Sequence, residues 1–320
     1  NKITIIDLSA DFRLDSENIY EENYNTKHSC ANLLKNFTYS LPEENKELIK
    51  KSSNLSIPGC YPTSILTPLI PLLKNNLVKS DDIIIDSKSG YSGAGKKFDL
   101  KKIIKNNQYN FYNYNTNDHR HKCEIKQELK KHSKKDVNFS FNPHLLPIFR
   151  GMMSTIYLNL EERIDINYVE NFLIKYADAN QFINYIKNND RLDFFNIQNT
   201  NNCNIRIFKH YNDSKIILVS LIDNLLKGAA GQAIQSMNIM YNFEENSGLI
   251  FKWSFLSIFF FLTIVSCGYP DIDTVPLFKG LKITEQNSID LCNITKSDND
   301  ELNMNKCLNL ENKYEVIKRL

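Results

Sequence analysis

Two short apolar segments, each followed by a polar or glycine-rich loop, constrain the fold of this chain most strongly. Residues 3–8 form the first segment, a predicted strand that ends at Asp7 before a polar loop. Residues 82–86 form the second, which leads to a loop with several glycines. Continuous apolar runs of this length are typical of strands that are buried on both faces of a parallel sheet. Ligands bind at the carboxyl ends of such strands, so Arg13 in the first loop is a candidate anion-binding residue. The alternative for Arg13 is a surface salt bridge.

A cysteine stands between a Pro-Gly turn and a long apolar helical pattern. Cys60 precedes residues 63–77, where Pro68 and Pro71 predict a kink in the helix. Unpaired N–H groups at the start of a helix favour an anion, and they lower the pKa of a thiol from about 8.5 to roughly 3.5–7.5. We therefore interpret Cys60 as a nucleophile that can form a thiolate near neutral pH. The alternative is a buried structural cysteine.

The loop after the second apolar segment invites comparison with a phosphate-binding loop. Gly90, Gly95 and Lys96 match the spacing G-x-x-x-x-G-K, and a predicted strand precedes them. Lys97 stands where a serine or threonine would hold Mg²⁺, and the residues that follow are poor helix formers. The sequence thus argues against a nucleotide triphosphatase and favours a glycine-rich loop that packs closely on another ligand or backbone.

Two histidines separated by one residue open the next amphipathic pattern, which runs to Leu129. On a helix, this spacing places His119 and His121 on different faces, which excludes the i,i+4 arrangement of a zinc pair. We predict no metal site. Histidine is the usual general acid and base near neutral pH, so one of the two could serve Cys60 while the other is structural. The alternative is two surface histidines in a charged stretch.

The pattern changes after Val137 from helices to strands with short links. Four segments with alternating apolar residues predict an antiparallel sheet, at residues 137–142, 152–159, 203–210 and 215–221. Helices are predicted at residues 15–24, 43–51, 166–177, 179–187 and 223–241, and turns at residues 142–144 and 147–151. The last helix is rich in small residues, which suits close packing on a Rossmann-type sheet.

Composition excludes several classes of protein. A net charge of +2 argues against a nucleic-acid partner, and 42% hydrophobic with 24% charged residues is ordinary for a globular protein. A chain of 320 residues is long enough for two domains. The cysteines show neither close pairing nor zinc spacing, and no secretory signal stands at the start. These features predict a cytoplasmic protein with reduced thiols.

Six motifs, taken in order, resemble the N-acetyl-gamma-glutamyl-phosphate reductases, NADPH-dependent enzymes of arginine biosynthesis. They are DLSADFRL (7–14), PGCYPTS (58–64), DSKSGYSGAGKK (86–97), HRHKCEI (119–125), FNPHLLPIFRG (141–151) and DNLLKGAAGQAIQSMN (223–238). The resemblance covers residues 1 to about 249. The related aspartate-semialdehyde dehydrogenases share the general plan, but the cysteine and histidine motifs are similar to those of the acetylglutamyl enzymes.

This resemblance implies an oxidoreductase that uses NADP(H) and a small-molecule substrate. Cys60 would attack N-acetyl-L-glutamyl 5-phosphate, release phosphate and form a thioester, which is then reduced to N-acetyl-L-glutamate 5-semialdehyde. His121, with His119 as the alternate, would move the proton on the thiol or on the hemithioacetal oxygen. Backbone N–H groups at the start of the helix near Thr63 would hold the oxyanion.

The resemblance also implies a set of binding residues. Arg13 and Lys88 are expected to contact phosphate, while Arg120 and Glu124 are expected to contact the substrate. Arg120 would bind the substrate carboxylate with its planar guanidinium. The expected cofactor-binding residues near the nicotinamide are Ser92, Gly93, Ala94, Gly95 and Asn224.

The implied fold is α/β plus α+β. We expect a truncated Rossmann dinucleotide-binding domain with an inserted antiparallel-sheet substrate and dimerisation domain, and a homo-oligomer, either a dimer or a tetramer. The Rossmann part would comprise residues 1–60 and a returning helix at 223–248, with the inserted domain at 61–222 and an irregular tail at 249–320. The glycine-rich turn that cradles a pyrophosphate is absent upstream of Asp7.

Two further features depart from the family pattern. Ile57 replaces the usual asparagine before Pro-Gly-Cys, which would alter the turn or remove a polar contact. Lys252, the apolar run 253–266 and Cys267 resemble a bacterial lipoprotein signal, and the run is shorter than the ~20 residues of a spanning helix. We predict that residues from about 250 derive from a neighbouring reading frame, so a membrane contact requires this segment to be native.

Three other functions stay open at this point. One is a reductase similar to aspartate-semialdehyde dehydrogenase, and another is a catalytically inactive fragment. The third is a cysteine hydrolase or acyltransferase that uses Cys60 and His121 without a nicotinamide.

Overall fold

Two sheets, one three-stranded and one seven-stranded, carry most of the fold. The computed structural model describes residues 3–95, 98–133, 135–187 and 190–249. The lipoprotein-like segment 253–266 and the rest of the predicted tail beyond residue 249 lie outside the described residues. The predictions made for them stay predictions, as do the domain boundaries proposed from the sequence.

The secondary structure alternates helices and strands at first and then becomes rich in strands. The strands are β1 (Ile5–Asp7), β2 (Thr38–Tyr39), β3 (Asn54–Ser56), β4 (Ile83–Gly90), β5 (Ile104–Lys105), β6 (Gln108–Tyr109), β7 (Tyr112–Asn113), β8 (Phe139–Leu146), β9 (Met152–Asn159), β10 (Ile183–Tyr185), β11 (Cys203–Lys209) and β12 (Lys215–Ile222). The helices are α1 (Glu17–Tyr24), α2 (Pro42–Lys51), α3 (Cys60–Lys74), α4 (His121–Ser133), α5 (Ile166–Asp178) and α6 (Gly231–Met240). A 3₁₀ turn, Tyr91–Ala94, follows β4, and a π-helical turn, Leu226–Ala230, precedes α6.

The three-stranded sheet is parallel, as predicted for the first apolar segment. Its order is β1-β3-β2, and Ile6 of β1 lies opposite Leu55 of β3. Just past the carboxyl end of β3, the N–H of Ile57 donates to the carbonyl of Asp7 at 2.7 Å. The carboxyl ends of β1 and β3 therefore lie side by side, three residues before Cys60.

The prediction that the first segment is buried on both faces is wrong. Ile3 is 82% exposed and Ile5 is 45% exposed. The reason is topological, because β1 is an edge strand that pairs only with β3 in the part of the chain that the structure describes. The second segment is also longer and less uniform than predicted, since β4 continues to Gly90 and Ile84 is 47% exposed.

The large sheet is mixed, which corrects the predicted antiparallel sheet. Its strand order is β10-β11-β12-β9-β4-β8-β7. β4 pairs parallel with β8 and antiparallel with β9, and β10 pairs parallel with β11. Insertion of β4 between β8 and β9 separates two strands that are neighbours in the sequence.

Two local predictions in this region are also wrong. The predicted turn at residues 142–144 is part of β8, where Pro143 lies opposite Ser87 of β4. The predicted helix at residues 179–187 contains β10, because pairing with β11 stabilises the extended backbone at Ile183–Tyr185. The other helices predicted upstream of residue 178 are present within a few residues of their predicted bounds.

Helix α3 is buried along almost its whole length against the inner face of the seven-stranded sheet. All residues from Tyr61 to Leu73 are buried, and Leu69 and Ile70 are fully enclosed in the main core. Pro68 and Pro71 both lie within this one helix. Ile85, Phe141 and Ile156 supply the matching surface of the sheet. No helix in the described ranges is long and apolar enough to cross a membrane.

The opposite, outer face of this sheet is more open and more polar. We define the outer face by Ile84, Asp86 and Lys88 of β4 and by Thr155 and Tyr157 of β9, which lie on the same side because paired residues share a face. Ile84 is 47% exposed and Tyr157 is 38% exposed. The outer face is thus a partly apolar surface on the side of the sheet away from α3.

Three buried serines join α3 to the inner face of the sheet. The hydroxyl of Ser154 lies 2.6 Å from that of Ser64 in α3 and 2.7 Å from that of Ser87 in β4. All three side chains are fully buried. A buried hydroxyl without a hydrogen-bond partner costs free energy, and Ser154 supplies a partner to both Ser64 and Ser87.

Replacement of Ser154 by alanine is expected to lower the free energy of unfolding by about 1–3 kcal/mol, since it leaves two buried hydroxyls each with one partner fewer. Urea unfolding followed by circular dichroism measures the effect. The matched control is Ser140→Ala, because Ser140 is an exposed residue of β8. This replacement is expected to leave stability unchanged. Equal stability of the two variants would contradict the role of this hydroxyl cluster.

Candidate active site

Cys60 is the first residue of α3. The residue before it, Gly59, is the N-cap, and its carbonyl accepts a hydrogen bond from the N–H of Thr63 at 2.9 Å. The helix begins three residues earlier than the sequence pattern indicated, so the cysteine belongs to its first turn. The N–H groups of Cys60 and Tyr61 are therefore directed as helix N-terminal donors, and Pro62 carries no N–H.

The thiol itself is not a preformed thiolate. Burial raises the pKa of Cys60 to about 11, and Arg13 and the N–H of Tyr61 oppose only part of that rise. The expectation that the helix end alone lowers the thiol pKa is therefore wrong. A thiolate in this packed site loses more solvation free energy than its interactions with the guanidinium and the amides supply. The four cysteines in the described part of the chain are free thiols: Cys30, Cys60, Cys123 and Cys203.

His121 lies against the turn that precedes Cys60. A Cβ atom added to Gly59 would stand 2.6 Å from Nε2 of His121 and 3.0 Å from Nη1 of Arg13. Only a residue without a side chain allows the imidazole and the guanidinium to approach the backbone this closely. Gly228 plays the same part on another side, since a Cβ there would stand 2.8 Å from Cβ of Cys60.

The two histidines form a contiguous pair. His119 lies just before α4, and its Nδ1 accepts a hydrogen bond from the backbone N–H of His121 at 3.1 Å. The ring centroids are 4.8 Å apart, and both side chains are buried. The prediction that they occupy different faces of one helix is wrong, because His119 precedes the helix and folds back over its first residue.

Both imidazoles are neutral near pH 7. Burial, with a smaller contribution from the charge of Arg120, lowers the pKa of His119 to about 4. Burial lowers the pKa of His121 well below its ordinary value, and His119, Arg13 and Arg120 add to that effect. A neutral imidazole beside the turn that precedes Cys60 is in the protonation state in which it can accept a proton.

Arg13 and Glu124 both contact the turn that precedes Cys60, and the substrate contacts predicted for them stay predictions. Arg13 donates from Nε to the carbonyl of Ile57 at 2.7 Å and from Nη2 to that of Leu8 at 2.8 Å. Glu124 is 1% exposed and accepts hydrogen bonds from the N–H of Gly59 and from a tyrosine. Nε and Nη2 of Arg13 and Oε1 of Glu124 therefore hold the chain, while Nη1 of Arg13 and Oε2 of Glu124 face each other at 3.6 Å.

The structure separates Lys88 from Cys60. Lys88 belongs to the outer face of the sheet, and its Nζ lies 2.6 Å from a carboxylate oxygen of Asp86. Helix α3 packs on the inner face, with Ser87 as its contact on the same strand through Ser154. Alternation along β4 therefore directs Lys88 away from Cys60, which contradicts the predicted phosphate contact.

The predicted cofactor-binding residues are brought together. Nδ2 of Asn224 donates to the hydroxyl of Ser92 at 2.9 Å, and Oδ1 of Asn224 accepts from the N–H of Gly151 at 2.7 Å. A Cβ added to Gly93 would stand 3.0 Å from the hydroxyl of Ser89. The 3₁₀ turn after β4 and the start of the last motif therefore form one loop cluster.

A pocket of about 460 Å³ lies beside this cluster and the first histidine. Gly93 and Ala94 line one part of it, and His119 and Arg120 line another. The guanidinium of Arg120 is exposed and lies 5.8 Å from the ring of Tyr24. The guanidinium of Arg120 thus lies next to the predicted nicotinamide loop, whereas Lys88 lies on the outer face of the sheet.

Several residues of the site have no counterpart in the sequence prediction. Tyr39 donates its hydroxyl to Glu124 at 2.8 Å, and the hydroxyl of Tyr61 lies 3.0 Å from that of Tyr114. Gly59 and Gly228 were visible in the motifs, but the close contacts that require glycine were not. Tyr39 lies outside every motif, and no signal in a single sequence points to it.

Ile57 is buried in a small apolar cluster with Ile49, Leu55 and Ile239, so it lies away from the pocket.

Comparison with known proteins identifies similar sequences over most of the chain. Residues 60–224 match the family model described as semialdehyde dehydrogenase, dimerisation domain. The N-acetyl-gamma-glutamyl-phosphate reductase of Clostridium botulinum (strain Alaska E43) is 45% identical over 249 residues, which cover 78% of this chain and 72% of the relative. The enzyme of the same name from Ehrlichia canis is 43% identical over 251 residues, with the same coverage of each chain.

Solved structures give the same fold at lower identity. Aspartate semialdehyde dehydrogenase II from Vibrio cholerae matches with a TM-score of 0.57 and 17% identity, covering 74% of this chain and 72% of that chain. The aspartate semialdehyde dehydrogenase of Francisella tularensis gives a TM-score of 0.54 at 16% identity, with 74% of each chain covered. At these identities the likeness concerns the fold, and it confirms the predicted α/β plus α+β class.

The buried histidines are expected to make stability depend on pH. The folded pKa of His119 is about 4 and the unfolded value is about 6.5, so the unfolded chain binds the proton first as pH falls. Stability from this group is complete above about pH 6.5 and is lost as pH falls toward 4. The loss at pH 5.5 is about 1 kcal/mol for this group.

His119→Asn tests this expectation by urea unfolding at pH 7.5 and 5.5. Asparagine offers an oxygen near the position of Nδ1 and does not titrate, so the variant should lose less stability between the two pH values than the wild type. His210→Asn is the matched control, because Nδ1 of His210 accepts an N–H from Asn212 at the same 3.1 Å but is less buried. An unchanged pH dependence in His119→Asn would contradict the prediction.

Proposed function

The chain belongs to the N-acetyl-gamma-glutamyl-phosphate reductase family of the semialdehyde dehydrogenases, and from this we propose its reaction in detail. The family resemblance predicted from the six motifs is confirmed, and with it the class of the protein, an oxidoreductase. The proposed reaction reduces N-acetyl-L-glutamyl 5-phosphate with NADPH to N-acetyl-L-glutamate 5-semialdehyde and phosphate, in the cytoplasm. The observation that carries the proposal is Cys60 at the start of α3 with His121 against its turn.

In the first step, Cys60 becomes acylated. His121 takes the proton of the thiol as the sulfur attacks the acyl carbon, which avoids a free thiolate in a site that disfavours one. The N–H groups of Cys60 and Tyr61 stabilise the oxyanion of the tetrahedral intermediate. Phosphate leaves with the electron pair of the C–O bond, and a thioester on Cys60 remains. His121 is favoured over His119, because Nδ1 of His119 is already engaged by the backbone of His121.

The loop cluster fits the nicotinamide end of the cofactor. Gly93 leaves open the space that a Cβ would fill beside Ser89, and Asn224 fixes Ser92 through its amide. Ser92, Gly93, Ala94, Gly95 and Asn224 would hold that part of NADP(H). When bound, the cofactor supplies a hydride to the carbonyl carbon of the thioester.

In the last step, the hemithioacetal oxyanion collapses and expels the sulfur of Cys60. The aldehyde is released, and the protonated His121 returns its proton to the sulfur. The buried environment that raises the thiol pKa favours this return, because it stabilises the neutral pair of Cys60 and His121. The protonation states of the free enzyme are thus restored.

Arg120 is the proposed partner of the substrate carboxylate. Its guanidinium is exposed at the 460 Å³ pocket, next to His119 and to Gly93 and Ala94 of the loop cluster. A guanidinium can bind a carboxylate through two parallel hydrogen bonds. Arg13 is less suited to this role, since Nε and Nη2 are bound to backbone carbonyls and Nη1 faces Glu124.

Loss of the nucleophile should abolish acylation. With N-acetylglutamyl phosphate and no NADPH, the wild-type chain is expected to release a stoichiometric burst of phosphate, since the thioester forms without the cofactor. Cys60→Ser should show no burst and no NADPH oxidation. Rapid-quench phosphate assays and absorbance of NADPH measure the two steps separately.

The control for this experiment is Cys123→Ser, which removes another partly exposed thiol and should keep the burst. Two outcomes would count against the proposal: a normal burst in Cys60→Ser, or continued phosphate release by the wild type without NADPH. The second outcome indicates a hydrolase that uses the same cysteine.

We also propose that the chain forms a homo-oligomer through the outer face of the seven-stranded sheet. The matching family model is a dimerisation domain that spans the strands of this sheet. Ile84 and Tyr157 leave apolar surface exposed there, and Asp86 and Lys88 pair with each other at 2.6 Å. A second copy of the chain would cover the apolar surface without leaving either charge unpaired.

Sedimentation velocity tests this assembly. The wild-type chain is expected to sediment as a dimer or tetramer, and Tyr157→Asp as a monomer, because a carboxylate in the centre of the interface loses its hydration. Tyr211→Asp is the control, since Tyr211 is 95% exposed in the turn between β11 and β12. A monomeric wild type, or an unchanged Tyr157→Asp, would refute the proposed interface.

A further inference from the structure

A single buried carboxylate holds the turn that precedes the nucleophile. Oε1 of Glu124 accepts hydrogen bonds from the N–H of Gly59 at 2.9 Å and from the hydroxyl of Tyr39 at 2.8 Å. Oε2 lies 3.6 Å from Nη1 of Arg13. The carboxylate therefore links β2, the loop after β1 and the N-cap of α3.

The rest of this turn is held by the same cluster. Arg13 donates to the carbonyl of Ile57 at 2.7 Å, and the N–H of Ile57 donates to Asp7. Residues 57–59 thus have three of their backbone polar groups fixed immediately before Cys60. Of these bonds, the one at the amide of Gly59 is closest in sequence to the nucleophile.

Glu124 and His121 stand on the same helix, three residues apart. Residues at this spacing lie on one face of a helix. Helix α4 therefore carries two side chains that contact Gly59. His121 lies against its Cα, and Glu124 accepts a hydrogen bond from its N–H. One rigid element sets the position of the base relative to the nucleophile turn.

We propose that Glu124 is a positioning residue, which fixes the amide of Gly59 and through it the placement of Cys60 relative to His121. This inference rests on the proposed function for its kinetic consequence. Its other consequence, the reactivity of the thiol, is independent of any substrate.

The charge of Glu124 provides a signature that a merely structural role would not give. Glu124 raises the thiol pKa of Cys60, whereas Arg13 lowers it. The other titratable groups near the thiol are His121, His119, Tyr61 and Tyr114. Removal of the negative charge leaves Arg13 without its acidic partner, so the thiol pKa must fall.

Two variants of Glu124 separate position from charge. Glu124→Gln removes the charge and retains an oxygen that can accept from Gly59, but its amide group must face Tyr39 or Arg13 with donors. Glu124→Asp retains the charge but is one methylene shorter, which withdraws the oxygen from Gly59. Glu128→Gln is the matched control, because Glu128 is a buried glutamate one turn later on α4 that contacts Gln127 and Lys131.

The experiment measures the rate of Cys60 alkylation by iodoacetamide from pH 6 to 11, together with kcat and KM for the acyl phosphate. We expect the apparent thiol pKa to fall in Glu124→Gln and to stay near the wild-type value in Glu124→Asp. In Glu124→Asp kcat should fall by up to roughly 100-fold, as for a misplacement of about 1 Å, with little change in KM. In Glu124→Gln, which keeps the acceptor for the N–H of Gly59, the fall in kcat should be smaller. The control should match the wild type in every measurement.

Three results would overturn the proposal: wild-type kcat in Glu124→Asp, an unchanged thiol pKa in Glu124→Gln, or the same changes in Glu128→Gln. If Glu124→Gln does not fold, as seen by circular dichroism, Glu124→Asp decides through its kcat. If no chain turns over the acyl phosphate while the alkylation pKa shifts as expected, the proposed function fails and the placement of Glu124 stands.

Discussion

Burial of α3 against the inner face of the seven-stranded sheet is the constraint on which the site depends. The helix is enclosed from Tyr61 to Leu73, so its axis and rotation are fixed by packing on Ile85, Phe141 and Ile156. Cys60 is therefore held at one end of a rigid element. Rigid support of this kind allows a nucleophile to be placed accurately, and it requires the surrounding groups to adapt to the helix.

The same burial sets the electrostatics of the site. A dry environment disfavours both a thiolate and an imidazolium, so Cys60 and His121 rest as a neutral pair. In the proposed reaction, charge appears only when a substrate reacts: His121 becomes protonated as the oxyanion forms beside the helix N–H groups, and phosphate then departs. A preformed thiolate would need a stronger compensating charge than Arg13 provides, because Arg13 is shared with Glu124.

Elements whose pattern lies in contiguous residues could be predicted from the sequence. Predictions failed where pairing between strands distant in the sequence determines the structure. The α3 pattern, the cysteine at its start and the family motifs all follow from contiguous residues. The strand at 183–185 requires β11, and the orientation of Lys88 requires the register of β4 with β9, neither of which is written in the local pattern. The roles of Glu124 and Arg13 could not be predicted, because a charged residue near an active-site motif binds either a ligand or the chain, and only the contacts distinguish the two.

Buried ion pairs lie near the two backbone segments that flank Cys60, and their effect is on the position of these segments. Glu124 and Arg13 hold the turn at Gly59, while Lys227, fully buried, donates to Glu43 at 2.6 Å and to Gln235 at 2.8 Å. Lys227 precedes Gly228, whose backbone lies against Cβ of Cys60. Burying such charges contributes little net stability, since desolvation offsets the attraction. Their contribution is to restrict position, because a charged group in a dry interior accepts few alternative partners. Each of the two backbone segments that enclose Cys60 therefore has one low-energy position.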